Sequence, residues 1–284
     1  MTGKNFCFSD SICFNSYFLT NTVKGEKMRN QYITLALCLG MTVLGSGQAS
    51  GHYAWVNADD YSHHTGEMAT INIGYGHGYP LGSFLQQEEM ADMTLLDPAG
   101  EKVPLKSVNS IEYETEEALS KPGVYTVAAQ RKPVFYSKTT EGWKKQSKEG
   151  LENVLRCVRS HKSTKGVLTV DAEDAALNKD AVGHPLEIIP QANPATLKAG
   201  DYLPVQLLLR DKPYKSKIFA TYMGFSTDKD VFAYTTKTDQ KGMGKIRLLQ
   251  PGVWLIKADY FRFLFQRNSS NRKTAIQSVI FFQY

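Results

Sequence analysis

The sequence predicts an all-β protein: two β-sandwich domains, the second immunoglobulin-like, behind a cleaved signal peptide. Three observations predict it. Tyr (15) and Phe (14) are abundant, and aromatic side chains favour a pleated, half-buried surface. Short alternating runs recur between turn residues, with 22 Gly and 11 Pro to make the turns. The stretch before Ser50 has the layout of a secretory signal.

That signal opens at Met28. Arg29 supplies the positive start, Ile33 to Leu44 the apolar segment, and Gly47-Gln48-Ala49 the small residues of a cleavage site. The apolar segment is shorter than the roughly 20 residues of a membrane span. Residues 1–27 are too polar to lead a signal peptide, so translation is expected to begin at Met28. Residues 1–49 are expected to stand outside the fold, and the mature protein to lie in the periplasm.

Composition narrows the function. The chain of 284 residues is 21% charged with a formal net charge of +5, and its Lys and Arg are scattered, so it shows no nucleic-acid footprint. Three of four cysteines precede Ala49, and Cys157 alone remains, too few for an internal disulfide or a thiolate cage. Cys157 is read as a buried structural thiol. Gly-x-Ser-x-Gly, His-Glu-x-x-His, a phosphate loop and Cys-x-x-Cys are all missing, so the protein is not expected to be an enzyme.

Four of the six histidines, His52, His63, His64 and His77, fall between Gly51 and Pro80. Cleavage after Ala49 would leave Ser50-Gly51-His52 as the terminus. The amine, two backbone amides and the imidazole then offer four nitrogens in a plane, an arrangement suited to Cu(II) or Ni(II). The alternative is that His52 simply begins the strand His52–Val56. His63 and His64 fall in a polar loop with Asp59, Asp60 and Glu67, where ligand and solvated roles both stand open. From Glu67 to His77, Ala69, Ile71, Ile73 and Tyr75 share one parity and face a core. His77 continues that parity past Gly74 and Gly76, which are expected to turn or bulge the strand end. It is either a ligand near His52 or a structural donor to a loop carbonyl.

Further strands are expected at 93–96, 107–114 and 124–130, with a type I turn at Asp97-Pro98-Ala99-Gly100. Leu151, Val154, Leu155 and Val158 recur at helical spacing and predict a helix from about Lys148 to Arg159. A strand follows at 165–171. The polar segment 172–183 divides an N-terminal domain (50–175) from a C-terminal one (184–284). Leu186–Pro194 opens the second domain as an extended edge, restricted by Pro190 and Pro194. Strands near 202–210, 217–223, 231–236, 244–249, 253–260 and 275–283 bring it to seven in about a hundred residues, the size of an immunoglobulin-like module. His184 at the domain junction is read as structural and His161 as a surface residue.

Several runs resemble a known family: Gly-His after a signal peptide, Gly74-Tyr75-Gly76-His77-Gly78-Tyr79-Pro80, Pro185 to Pro190, Asn193-Pro194, Leu197 to Asp201 and Pro251 to Ile256. They are similar to a secreted bacterial family long carried as a domain of unknown function and often described as the periplasmic component of a cobalt/nickel ABC uptake system. The resemblance covers nearly the whole mature chain. It implies a secreted two-sandwich protein with metal-binding histidines near its mature start, here His52 and His77. It also implies Ni(II) or Co(II) as cargo and an inner-membrane ABC or ECF-type transporter as partner. The chain departs from the family pattern after Trp254, where Asp259, Tyr260 and Phe261 stand in place of a His.

The leading expectation is therefore a periplasmic accessory protein for nickel or cobalt uptake, with His52 and His77 as ligands and His63 or His64 supplementary. Imidazole suits Cu(II) and Zn(II) as well. The rival expectation is a non-metal interaction module for carbohydrate or protein, using exposed aromatics among Tyr53, Trp55, Tyr61, Tyr75 and Tyr79.

Overall fold

Apolar and polar residues alternate along most of the chain, and the backbone follows with strands that each offer one side to a core. A computed structural model describes residues 51–171, 177–266 and 269–283, and over 263–273 the backbone alone. The signal peptide expected before Ser50, and the terminal amine its cleavage would leave there, fall outside the described residues. The first half contains β1 (Tyr53–Ala58), β2 (Ser62–His63), β3 (Thr70–Gly78), β4 (Leu81–Phe84), β5 (Met90–Leu96), β6 (Lys102–Val103), β7 (Leu105–Ser107), β8 (Glu112–Thr115), β9 (Gly123–Thr139), β10 (Gly142–Lys144) and β11 (Val154–Val170). The second contains β12 (Leu186–Pro190), β13 (Tyr202–Leu209), β14 (Lys212–Pro213), β15 (Lys217–Tyr222), β16 (Tyr234–Lys237), β17 (Met243–Arg247), β18 (Val253–Gln266) and β19 (Ser269–Gln283). Two single 3₁₀ turns, Gln87–Glu89 and Pro194–Thr196, complete the regular structure.

The protein is all-β and built as two sandwiches. They share a central sheet of ten strands, ordered β16-β15-β18-β19-β11-β9-β5-β6, with β10 on β9 and β2 on β11. One face carries the sheet β1-β3-β8-β7 with β4; the other carries β12-β13-β14 with β17. Parity on the central strands feeds both cores. Tyr125, Val127, Leu168, Leu255, Val279 and Phe281 point one way, against Ala54, Val56, Ile71 and Ile73. Val124, Val167, Trp254, Ile256, Ile280 and Phe282 point the other way, against Leu186, Ile188, Leu203 and Val205. Such strands read as near-continuous apolar runs because both faces are covered.

Segment 172–183 divides the chain by composition, yet residues 50–284 form one compact unit. The join is the parallel pairing of β11 with β19, from Cys157 with Arg272 to Gly166 with Phe281. Each long strand thereby satisfies the open edge of the other half's sheet, which would otherwise be a row of unpaired amides and carbonyls.

The helix expected at 148–159 is not formed. Val154 to Val170 is β11, paired antiparallel with β9 and parallel with β19. Val158 is buried, Arg159 exposed and Ser160 buried, the alternation of a strand. Helical spacing at four positions was outweighed by two full ladders of hydrogen bonds that a helix would leave unmade. The strand expected over 107–114 is interrupted by a turn at 108–111, where Asn109 Oδ1 accepts the amides of Ile111 and Glu112. The Asp97–Gly100 turn forms as expected, the Gly100 amide donating to the Asp97 carbonyl at 2.9 Å.

Candidate functional site

Trp55 decides how β1 meets β3. Its ring lies over Gly74, Gly76 and Gly82, and a Cβ on Gly74 would stand 2.1 Å from Trp55 Nε1. The glycines clear space for an indole and stay paired with β1, while on the β4 side the register shifts between Tyr75 and Gly78, the bulge expected at the strand end. The register runs from Ala58 with Ile71 to Tyr53 with Gly76, and one more step sets His52 opposite His77. The two imidazoles lie 4.1 Å apart, ring centre to ring centre, and His52 stacks on Tyr75 at 5.0 Å. These are the directly opposed and diagonal contacts of an antiparallel pair.

The end of β3 is pinned. Tyr53 Oη donates to the His77 carbonyl at 3.0 Å and accepts the Tyr79 amide at 3.1 Å. The Asp230 amide donates to the same carbonyl at 3.2 Å. The His77 ring is half-buried; its Nδ1 has no hydrogen-bond partner and stands 3.9 Å from Asp230 Oδ2. Burial lowers the pKa of both imidazoles. For His52 the His77 ring and the cations Lys162, Arg131 and Lys229 add to the shift. For His77 the Asp230 carboxylate opposes it. Both rings are thus neutral, with lone pairs available, at neutral pH.

Below the pair, polar residues of the central sheet form a ladder across adjacent strands. Arg131 on β9 pairs in register with Lys162 on β11, Lys162 with Gln277 on β19, and Gln277 with Asp259 on β18. Lys162 Nζ donates to Gln277 Oε1 at 2.9 Å, and Gln277 Nε2 to Asp259 Oδ1 at 2.7 Å. Lys257 Nζ closes the row on Asp259 Oδ2 at 2.9 Å. Arg131 donates to Tyr75 Oη at 2.7 Å and meets Glu89 Oε1 at 2.6 Å. Burial lowers the Lys162 pKa to about 8, with Asp259 opposing the shift.

The remaining histidines stand elsewhere. His63 is buried, its Nε2 2.9 Å from the Asp60 carbonyl, and pairs through β2 with Val170 of β11. Val170 is eight positions from Lys162, roughly 26 Å along an extended strand. His64 is exposed, its Nδ1 2.7 Å from Asp171 Oδ1. Hydrogen bonds from Thr65 and His64 lower the Asp171 pKa to about 2. Neither joins the His52–His77 pair, so the supplementary ligand role is dropped. His161 is half-buried, not a plain surface residue, and Cys157 is buried as expected. Among the described residues no group of three or more His, Cys, Asp or Glu side chains converges as a ready metal cage. Asp259 is engaged by Gln277 and Lys257.

Of the aromatics expected at an exposed surface, Tyr53, Trp55, Tyr61 and Tyr79 are buried and only Tyr75 is partly open. Arg131, Lys162 and Gln277 escaped the sequence reading. Their signal was present: polar residues at core-facing parity within apolar strands.

A family model described as "Domain of unknown function (DUF4198)" matches residues 49–262. Two solved structures show a distant likeness. One is a DUF4785 family protein from Legionella pneumophila, 8% identical, covering 74% of this chain and 52% of its own, with a TM-score of 0.25. The other is the full ectodomain of mouse nectin-like molecule 4, 10% identical, covering 77% and 96%, with a TM-score of 0.15. This chain thus spans about half the length of the Legionella protein. No curated protein matches the sequence.

Proposed function

The chain belongs to the DUF4198 family, and from that premise we propose that it is a periplasmic accessory protein for nickel or cobalt uptake, holding the ion as cargo through His52 and His77. The observation that carries the reading is the opposed imidazole pair, with ring centres 4.1 Å apart and His77 Nδ1 unpartnered. Two neutral imidazoles suit Ni(II) and Co(II), and Cu(II) and Zn(II) also. Two ligands leave the other positions to water, to groups that arrive with the ion, or to the terminal amine of a chain that begins at Ser50.

The cations nearby weigh against tight capture. Lys162, Arg131 and Lys229 already repel a proton on His52 and repel a divalent ion in the same way. The reading is therefore of an exchangeable site that hands its ion on, with an inner-membrane ABC or ECF-type transporter as receiver. The protein acts here as a carrier and not as an enzyme.

Isothermal titration of the secreted protein with Ni(II), Co(II), Cu(II) and Zn(II), beside His52→Ala and His77→Ala, tests it. One equivalent of Ni(II) or Co(II), weakened at least about tenfold in each variant, is expected. Binding untouched by either variant, or no binding, overturns the site.

A further inference from the structure

A cavity of about 390 Å³ opens between the central sheet and the small sheet on the side away from His52 and His77. Arg159, His161, Thr274 and Ile276 line it from β11 and β19, and His184, Pro185, Arg210 and Asp211 from the other side. The register explains the convergence. Arg159 pairs with Thr274 and His161 with Ile276. Leu186 pairs with Leu209, the last rung before the turn at 210–211, which brings that turn beside Pro185. The Arg210 amide donates to the Pro185 carbonyl at 3.0 Å and ties the two walls of the small sheet together.

Three features mark this cavity as built to hold something. First, Arg159 and Arg210 both lie close enough to the half-buried His161 ring to act on its charge. Second, Arg210 and Asp211 make a two-residue hairpin turn with φ of 50° and 61°. That left-handed region is one that Asp enters readily and Arg rarely does. The turn sets both charged residues on the lining of the cavity. Third, the His184 backbone is held still from beneath: the amides of Val182, Gly183 and His184 all donate to Glu187, at 2.9, 3.2 and 3.1 Å.

The charge selects the ligand. Two guanidiniums face one carboxylate, and burial keeps both imidazoles neutral, the two arginines adding to this at His161. Neutral imidazole donates from one nitrogen without adding a repelling charge. Guanidinium is the side chain suited to bidentate recognition of carboxylate and phosphate. Metal ions are the poorer fit, since the arginines repel them.

We propose that this cavity is a binding site for a small organic oxyanion, its carboxylate or phosphate group held between Arg159 and Arg210 beside the His161 imidazole. Asp211 limits the choice to anions that keep clear of it or that carry a donor towards it.

The test uses metal-free secreted protein, titrated calorimetrically with citrate and with inorganic phosphate in parallel at fixed ionic strength. Citrate alone binding assigns a carboxylate ligand; phosphate alone assigns a phosphate ligand. Arg210→Gln, on an exposed turn, is expected to weaken whichever binds at least about tenfold. His52→Ala is expected to leave the affinity unchanged. No heat with either ion at millimolar concentration, or binding indifferent to both Arg210→Gln and Arg159→Gln, overturns the proposal.

Discussion

Lys165 and Glu187 form an ion pair of 2.8 Å inside the protein, with side chains 4% and 1% exposed. It joins the central sheet to β12 and sits under the segment that carries His184. Burial raises the Glu187 pKa, but Lys165 and the backbone amides outweigh it and the carboxyl stays ionised below its usual range. Burial is the larger influence on Lys165 and holds its pKa down.

Removing one partner leaves a lone buried charge. Glu187→Ala is expected to lower stability by about 3–5 kcal/mol in urea unfolding. Replacing both residues, Lys165→Met with Glu187→Leu, should cost much less. A Glu187→Ala loss under about 1 kcal/mol would show that water reaches the pair.

Gly74 has no room for a methyl group beneath Trp55. Gly74→Ala is expected to destabilise by about 1–3 kcal/mol or more, through displaced packing of the indole. It should also loosen the His52–His77 register, seen as weaker metal binding. The same substitution in a Trp55→Leu background should cost less, because the obstacle is gone.

His184 is buried, and burial lowers its pKa to about 4 from an ordinary 6.5. The folded state keeps it neutral while the unfolded chain takes up a proton below pH 6.5. Its contribution is therefore complete above pH 6.5 and is lost as pH falls towards 4, by about 3 kcal/mol. Unfolding free energies at pH 7 and pH 4.5 should show the decline, and a folded His184→Gln variant should show less of it.

Metal binding at His52 and His77 needs neutral rings, and burial lowers the pKa of both. Acid release of Ni(II) should therefore have its midpoint below pH 6.5. A site using the terminal amine and backbone amides would let go at distinctly higher pH, since an α-amine titrates near 8. A pH series of the nickel titration separates the two.

Much of the fold was legible because strand periodicity is local. The alternation of Ala69, Ile71 and Ile73, the Asp97–Gly100 turn and the seven short runs after Leu186 each state themselves within ten residues. The pairing of His52 with His77 was half legible. Parity put His77 on the core side of its strand, but only the Trp55–Gly74 contact fixes which residue His52 faces. The stretch before Val158 was misread because four apolar residues fell at helical spacing by coincidence, and β9 and β19, which outweigh that spacing, come from distant parts of the chain.

The sequence by itself determined an all-β chain, its two sandwiches and a cluster of histidines between Gly51 and Pro80, because these depend on composition and on neighbours within a few positions. Only the tertiary structure decided that β11 and β19 weld the halves into one sheet and that His63 and His64 stand apart from His52 and His77. It alone brought Lys162, Gln277 and Asp259 into one row, and Arg159 and Arg210 around His161. The reason is physical: register between strands a hundred residues apart is set by the joint packing of both faces of the central sheet, which no local stretch of residues contains.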